Sequence, residues 1–207
     1  LDWLSVELMQ NNWSTKHIHR LIVTSGTYQQ DSKARPELQE LDPTNDLLAR
    51  MPRLRLSAEE IRDTMLQISG LLELQMGGEP IYPPQPAGIW RHVGRNAPKY
   101  KTSIETNRYR RGIFVIWRRS APYPAFTNFD APDRTSCVVN RSRTNTPLQA
   151  LTLLNDPMYW EMTKALGQHL HWSQNGDLRD RVKYGFVRTV TRMPSEREID
   201  ILVDLYE

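Results

Sequence analysis

A chain of 207 residues is long enough for one large or two small domains with a real core. Its 39% apolar and 25% charged content describe an ordinary, slightly polar soluble protein, and 27 basic against 24 acidic residues (net charge +3) are too evenly spread to point to nucleic acid. No apolar run approaches the ~18–20 residues of a membrane span, and the single cysteine, Cys137, excludes an internal disulfide and any cysteine-based zinc or haem attachment in this chain.

The chain opens at Leu1-Asp2-Trp3 without an initiator Met and ends at Tyr206-Glu207, both inside helical patterns. It therefore reads as part of a longer protein, and a missing export signal carries no weight. Leu1, Leu4, Val6, Leu8 and Met9, with Trp3, give an amphipathic helix ending near Asn11-Asn12. Ser14 caps a second helix, with Trp13 and Ile18 placed as a hydrophobic staple and Ile18, Leu21 and Ile22 on its buried face. The two make an αα-hairpin with a very short turn.

Residues 29–40 read as a polar loop. Asp42-Pro43 restarts a helix that carries Leu47 and Leu48 and ends by Met51-Pro52. Ser57-Ala58-Glu59-Glu60 is a capping box. The helix behind it carries Ile61, Met65, Ile68, Leu71 and Leu72 as far as Met76-Gly77-Gly78, with Gly70 inside it as a kink or close contact. Pro80, Pro83, Pro84, Pro86 and Pro98, with Gly88 and Gly94, then rule out a long regular element, so residues 79–108 read as a linker or insertion.

Ile113-Phe114-Val115-Ile116-Trp117 is the best strand candidate, with no evident partner. Pro122 and Pro124 end it, and residues 128–145 form an extended polar connection. Thr146-Pro147-Leu148-Gln149 is a second capping box, with proline at the first helical position. Leu148, Leu151 and Leu154, with Ala150 and Leu153 beside them, make an apolar face too broad for a surface stripe, which predicts a buried helix. Asn155-Asp156-Pro157 stops it and caps the next, which runs through Trp160, Met162, Leu166 and Leu170 to about Trp172. Gln174-Asn175-Gly176 is a turn. Asp177 starts a helix burying Val182, Phe186, Val187 and Val190, and Ser195-Glu196-Arg197-Glu198, a third capping box, opens the last. The fold class is mainly α: an irregular multi-helix array with a small β element near 112–117 and long proline-rich connections. It reads as one domain, with an N-terminal helical part over 1–78, the linker or insertion over 79–108, and the strand, polar connection and C-terminal helices over 109–207.

No catalytic signature is present: no G-x-S-x-G elbow, P-loop, G-x-G-x-x-G, H-E-x-x-H or C-x-x-C-H. His17-x-His19 and His169-x-His171 have the wrong spacing for a helical metal pair, which needs residues three or four apart. Cys137 reads as a small buried side chain. Asp130 and Asp133 offer two carboxylates for acid–base work or a cation, against the plainer reading of an arginine–aspartate network that fixes the 128–145 connection. Arginines at 108, 110, 111, 118, 119, 141 and 143, with Tyr109, Trp117 and Tyr123 among them and the helix N-terminus at Thr146, suit an anion or a glycan. The candidate binding residues are Arg110, Arg111, Trp117, Arg118, Asp130, Asp133, Arg141, Arg143, Asn145 and Thr146.

The runs Tyr109-Arg110-Arg111-Gly112-Ile113-Phe114, Trp117-Arg118-Arg119, Phe129-Asp130-Ala131-Pro132-Asp133, Thr144-Asn145-Thr146-Pro147-Leu148-Gln149-Ala150-Leu151 and Leu154-Asn155-Asp156-Pro157, with Cys137 and Arg141, resemble the planctomycete cytochrome-c-associated domain known as domain of unknown function 1553. Leu1-Asp2-Trp3-Leu4, Trp13-Ser14 with Lys16-His17, and Thr24-Ser25-Gly26-Thr27-Tyr28 look like its N-terminal portion, and residues 56–70 with Met76-Gly77-Gly78 like its middle. The resemblance implies an exported, periplasmic or cell-surface multidomain protein with a c-type haem in another, cytochrome-like domain. No cofactor belongs to this chain, and no catalytic residue carries over. Three functions follow as expectations. One is a non-catalytic module binding a glycan, an anion or a partner protein, another a structural domain docking the haem domain, and the last a polysaccharide-acting enzyme using Asp130 and Asp133.

Overall fold

The structure, a computed structural model, describes residues 1–92, 99–173 and 176–207. They fall into two compact units, Leu1–Arg55 and Leu56–Glu207. In the first, α1 (Asp2–Gln10) and α2 (Thr15–Val23) form the expected hairpin. Asn12 and Trp13, at φ of 54° and 58°, make its short turn. Ser14 caps α2 by accepting the His17 N–H, and His17 Nε2 lies 3.2 Å from Glu7 Oε2 across the pair.

The next helix departs from the expected place. α3 is Pro36–Leu41, inside the stretch read as loop, while residues 42–51 are turns rather than a helix. Pro36 supplies a helix-ready first position. Asp42 is buried, and its carboxylate accepts the N–H groups of Asp46 and Leu47 at 2.8 and 2.9 Å. That local bonding competes with a helical ladder, and Asn45 and Leu48 take positive φ instead.

The second unit is built on α4 (Ala58–Ser69), opened by the Ser57–Glu60 capping box. It ends at Gly70, which takes φ +79° as a left-handed cap, and does not continue to Gly77. The glycine expected as a kink is the stop. Ala58, Arg62, Leu66 and Ser69 form the buried face of α4, and α5 (Pro124–Asn128) and α7 (Pro157–Ser173) pack against the helix. Leu66, Ile81, Val115, Tyr123, Phe126, Phe129, Met158, Tyr159 and Met162 complete the core. Arg62 itself is 1% exposed and donates to the backbone carbonyls of Arg108 and Arg110 at 2.5 and 3.4 Å.

The stretch read as a strand is a 3-10 turn, Gly112–Phe114, followed by a single parallel bridge between Val115 and Ile81; a second bridge joins Glu73 and Arg110. The Ile81 N–H donates to the Phe114 carbonyl at 2.8 Å, and the Ile81 carbonyl accepts from Ile116 at 2.9 Å. Pro80, Pro83 and Pro84 flank Ile81 without backbone donors, so the pairing stops there. Ile81 and Pro83 are nevertheless fully buried, so the segment read as a linker or insertion supplies core side chains.

α6 (Pro147–Asn155), α7, α8 (Leu178–Val190) and α9 (Glu196–Tyr206) follow in the expected order, with both remaining capping boxes closed. The expected burial of α6 is overturned. Its inward residues are Gln149 and Thr152, while Leu148, Leu151 and Leu154 are 55%, 54% and 70% exposed. Val182, Phe186 and Val187 on α8 are half-buried, Val190 is exposed, and so is Cys137. The breaks at Gly94 and Pro98, and the turn at Gln174-Asn175, lie outside the described residues. No described helix is long and apolar enough to cross a membrane.

A Cβ on Gly112 would sit 3.1 Å from the Glu59 Cα and carbonyl oxygen. Gly112→Ala should therefore cost about 1–3 kcal/mol, read from the midpoint of denaturant unfolding, because the opposing atoms are backbone. At the other end of the unit, the Arg192 guanidinium and then the Ser195 N–H hold the Glu198 carboxyl down from 4.5 to about 2. A lowered folded-state pKa means that this cap contributes fully above the ordinary glutamate range and is lost as pH falls toward about 2. Amide exchange at the start of α9 should accelerate across that window, and Glu198→Gln should flatten the dependence.

Candidate functional site

Asp130 is the best-connected of the candidate residues. It sits at φ +61°, a left-handed position that aspartate tolerates. Its carboxylate accepts the Thr144 N–H at 2.7 Å, the Thr144 hydroxyl at 2.9 Å and the Gln149 side-chain amide at 3.4 Å. Gln149, 1% exposed, works in two directions. Its Oε1 accepts the Thr146 N–H within the capping box, while its Nε2 donates to Asp130 and to the Thr144 hydroxyl. On the same helix Thr152 accepts from the Asn128 amide at 2.9 Å. The inner face of α6 is thus a polar clamp on both ends of the 128–145 connection.

Asp133 takes different partners. Both the Thr135 N–H and its hydroxyl donate to Oδ1 at 2.9 Å, and those bonds hold the carboxyl below the ordinary aspartate range. The two carboxylates therefore serve separate turns and do not face one another's donors.

The arginines divide in a similar way. α4 presents Glu59 and Asp63, four residues apart and so on one face. Arg141 Nη1 lies 2.8 Å from Glu59, and Arg111 Nε 3.2 Å from Asp63, whose second oxygen accepts the Gly112 N–H. Arg143 and Arg141 also bear on Glu60, whose carboxyl is lowered first by the Ser57 N–H and hydroxyl. Arg118 lies over the Trp90 ring at 4.9 Å. Trp117 stacks on Phe126 and carries Arg134 at 4.6 Å on its ring. Asn145 is exposed, and Thr146 is the α6 cap.

Arg110 is the exception, because it lines an open cleft. It is 2% exposed, donates to the carbonyls of Gly77 and Glu79, and covers the Phe114 ring at 4.1 Å. The cleft beside it measures about 410 Å³ and is walled by Gln75, residues 78–81 and 101–104, and Asn107. The ten candidates thus form several small groups: one around Asp130 and α6, one on the acidic face of α4, the ring contacts of Trp117 and Arg118, the Asp133 turn, and Arg110 at the cleft.

The family described as PSD1, protein of unknown function (DUF1553), matches residues 1–206. The chain belongs to the DUF1553 family. No curated protein and no solved structure matches it. In this DUF1553 chain, sequence reasoning missed Glu59, Asp63 and Arg62, although the four-residue spacing of the two acids on α4 was a readable signal. It saw Gln149 as a cap residue, but nothing local marks that side chain as reaching back 19 positions to Asp130. Asp130→Ala should lower stability by about 1 kcal/mol, since it removes the shared acceptor of the Thr144 N–H, the Thr144 hydroxyl and the Gln149 amide. Asp133→Ala should stay within about 0.5 kcal/mol. Chemical denaturation of the two variants side by side reads the difference.

Proposed function

We propose that this DUF1553 domain is a non-catalytic interaction module that docks another domain of the same exported, haem-carrying protein through the outer face of α6. The observation that carries this reading is the inversion of that helix. Its polar side is buried and clamped by Gln149 and Thr152, and its leucines at 148, 151 and 154 point outward in a row. Exposed apolar side chains arranged along one helix mark an interaction surface more often than a solvated one. Trp160, exposed on the next helix, and Val138 and Val139, exposed in the connection, add apolar area in the same unit. The c-type haem belongs to the partner domain, as the family resemblance implies.

The polysaccharide-acting enzyme built on Asp130 and Asp133 draws no support from their geometry, because each carboxylate is committed to its own turn. The test is hydrogen exchange on the longest natural protein against residues 1–207 alone. Amides of α6 should exchange at least tenfold more slowly in the longer protein. The double variant Leu148→Glu/Leu151→Glu should abolish that protection while leaving the isolated domain folded by circular dichroism. Equal exchange of α6 in the two proteins would overturn the docking reading.

A further inference from the structure

The cleft beside Arg110 has the features of a built ligand site, and it shares no residue with the α6 face. Its walls are braced before any ligand arrives. The Ser103 N–H donates to the Tyr82 carbonyl and the Tyr82 N–H donates to the Ser103 hydroxyl, both at 2.9 Å. The Tyr100 hydroxyl donates to the Pro83 carbonyl, and Tyr82, Trp90 and Tyr100 pack edge to face with centroids 5.0–6.0 Å apart. Ile81 is tied to the core through its bridge to Val115. Gly77 and Gly78, at φ +74° and +86°, turn the first wall so that the carbonyls of Gly77 and Glu79 meet the Arg110 guanidinium.

The charge of Arg110 gives the cleft its sign. Its partners are two neutral carbonyls and an aromatic face, its Nε has no partner, and no carboxylate among the described residues pairs with it. Neutral groups hold a buried cation in place but leave its field uncancelled, and that field is strong where water is excluded. Lys101, exposed on the opposite wall, adds a second cation that can reach a ligand directly. Gln75, Thr102 and Asn107 offer amide and hydroxyl groups, while Ile81 and Ile104 supply an apolar floor and edge. Glu79 lies on the rim as the one acid, and it can accept from a hydroxyl. The volume falls in the range of small-molecule clefts, roughly 300–1,000 Å³.

We propose that this cleft binds an acidic sugar, with a carboxylate placed toward Lys101 above Arg110 and ring hydroxyls met by Gln75, Thr102, Asn107 and Glu79. A cation pair alone would take any small anion. The surrounding neutral donors and acceptors, with an apolar wall for a ring face, select a polyhydroxylated one.

The test is an amide NMR titration of the domain with sodium glucuronate, with glucose and sodium sulfate in parallel. Shifts should be confined to residues 75–81 and 101–107, with glucuronate binding at least tenfold more tightly than either control. Lys101→Glu should remove glucuronate binding, Lys101→Arg should retain it, and Asn107→Ala should weaken it severalfold. Both side chains are exposed, so the folded spectrum serves as the control. Absence of shifts at the cleft would overturn the proposal, and so would sulfate binding as tightly as glucuronate. Loss of the α6 docking surface would leave this result untouched, so the two readings fail separately.

Discussion

At the centre of the second unit lies a full positive charge that no carboxylate among the described residues pairs with. Arg62 is buried on the inner face of α4, and burial pushes its guanidinium down from the usual arginine range, against the opposing pull of Tyr123, Tyr159 and nearby acids. A bare charge in such a place costs several kcal/mol, and only fixed dipoles can hold it. The carbonyls of Arg108 and Arg110 do so. The same device then repeats outward. Arg110 holds Gly77 and Glu79, and Arg188 holds the Ile68 carbonyl at 2.7 Å. Arg108 differs, sharing the Glu161 carboxylate with the Tyr109 hydroxyl. Where another protein would run a β-sheet, this one crosses its irregular middle with arginine-to-carbonyl ties. That fixes the 73–81 and 108–116 segments without regular structure, and with them the cleft.

The inversion of α6 follows from the same economy of polar contacts. A helix that must satisfy Asp130, Thr144 and Asn128 has to turn its amide and hydroxyl residues inward, and the leucines are left outside. Hydrogen bonds to a carboxylate are stronger than neutral ones and lose more if broken in a partly buried place than leucines lose by facing water. The candidate residues of the 128–145 connection therefore organise a surface rather than a pocket. The cleft draws on residues from an earlier part of the chain.

What could be read from the sequence was local. The caps at Ser14, Ser57, Thr146, Asp177 and Ser195 depend on contacts within three residues, and each was legible with the helix behind it. The departures at residues 113–117 and at α6 arose where a distant partner decided, while those at Gly70 and Asp42 are local. Ile113–Trp117 has strand composition, but the partner it meets, Ile81, is hemmed by prolines, so a bridge forms instead of a sheet. Apolar content suggested that α6 was buried, and a partner 19 residues upstream reversed it. Asp42 looked like a helix start because its carboxylate suits a cap; it caps a turn. Of the site, the arginines were visible but their acceptors were not: Asp63 and Glu59 lie 48 and 82 residues from Arg111 and Arg141, and the carbonyls held by Arg110 are the same in every residue.

The arginine ties also bear on how the chain assembles. The caps close between neighbours, so the ends of most helices are set locally. The bonds that join them span long stretches: 46 residues from Arg62 to the Arg108 carbonyl, 120 from Arg188 to the Ile68 carbonyl. Contacts of that separation form late because loop closure must come first. Until α8 arrives, the carbonyl at the end of α4 lacks its arginine partner, although every buried core side chain around Arg62 already lies upstream, between Ala58 and Met162. The core of the second unit can therefore close once α7 is in place, and α8 then fastens the end of α4 from outside.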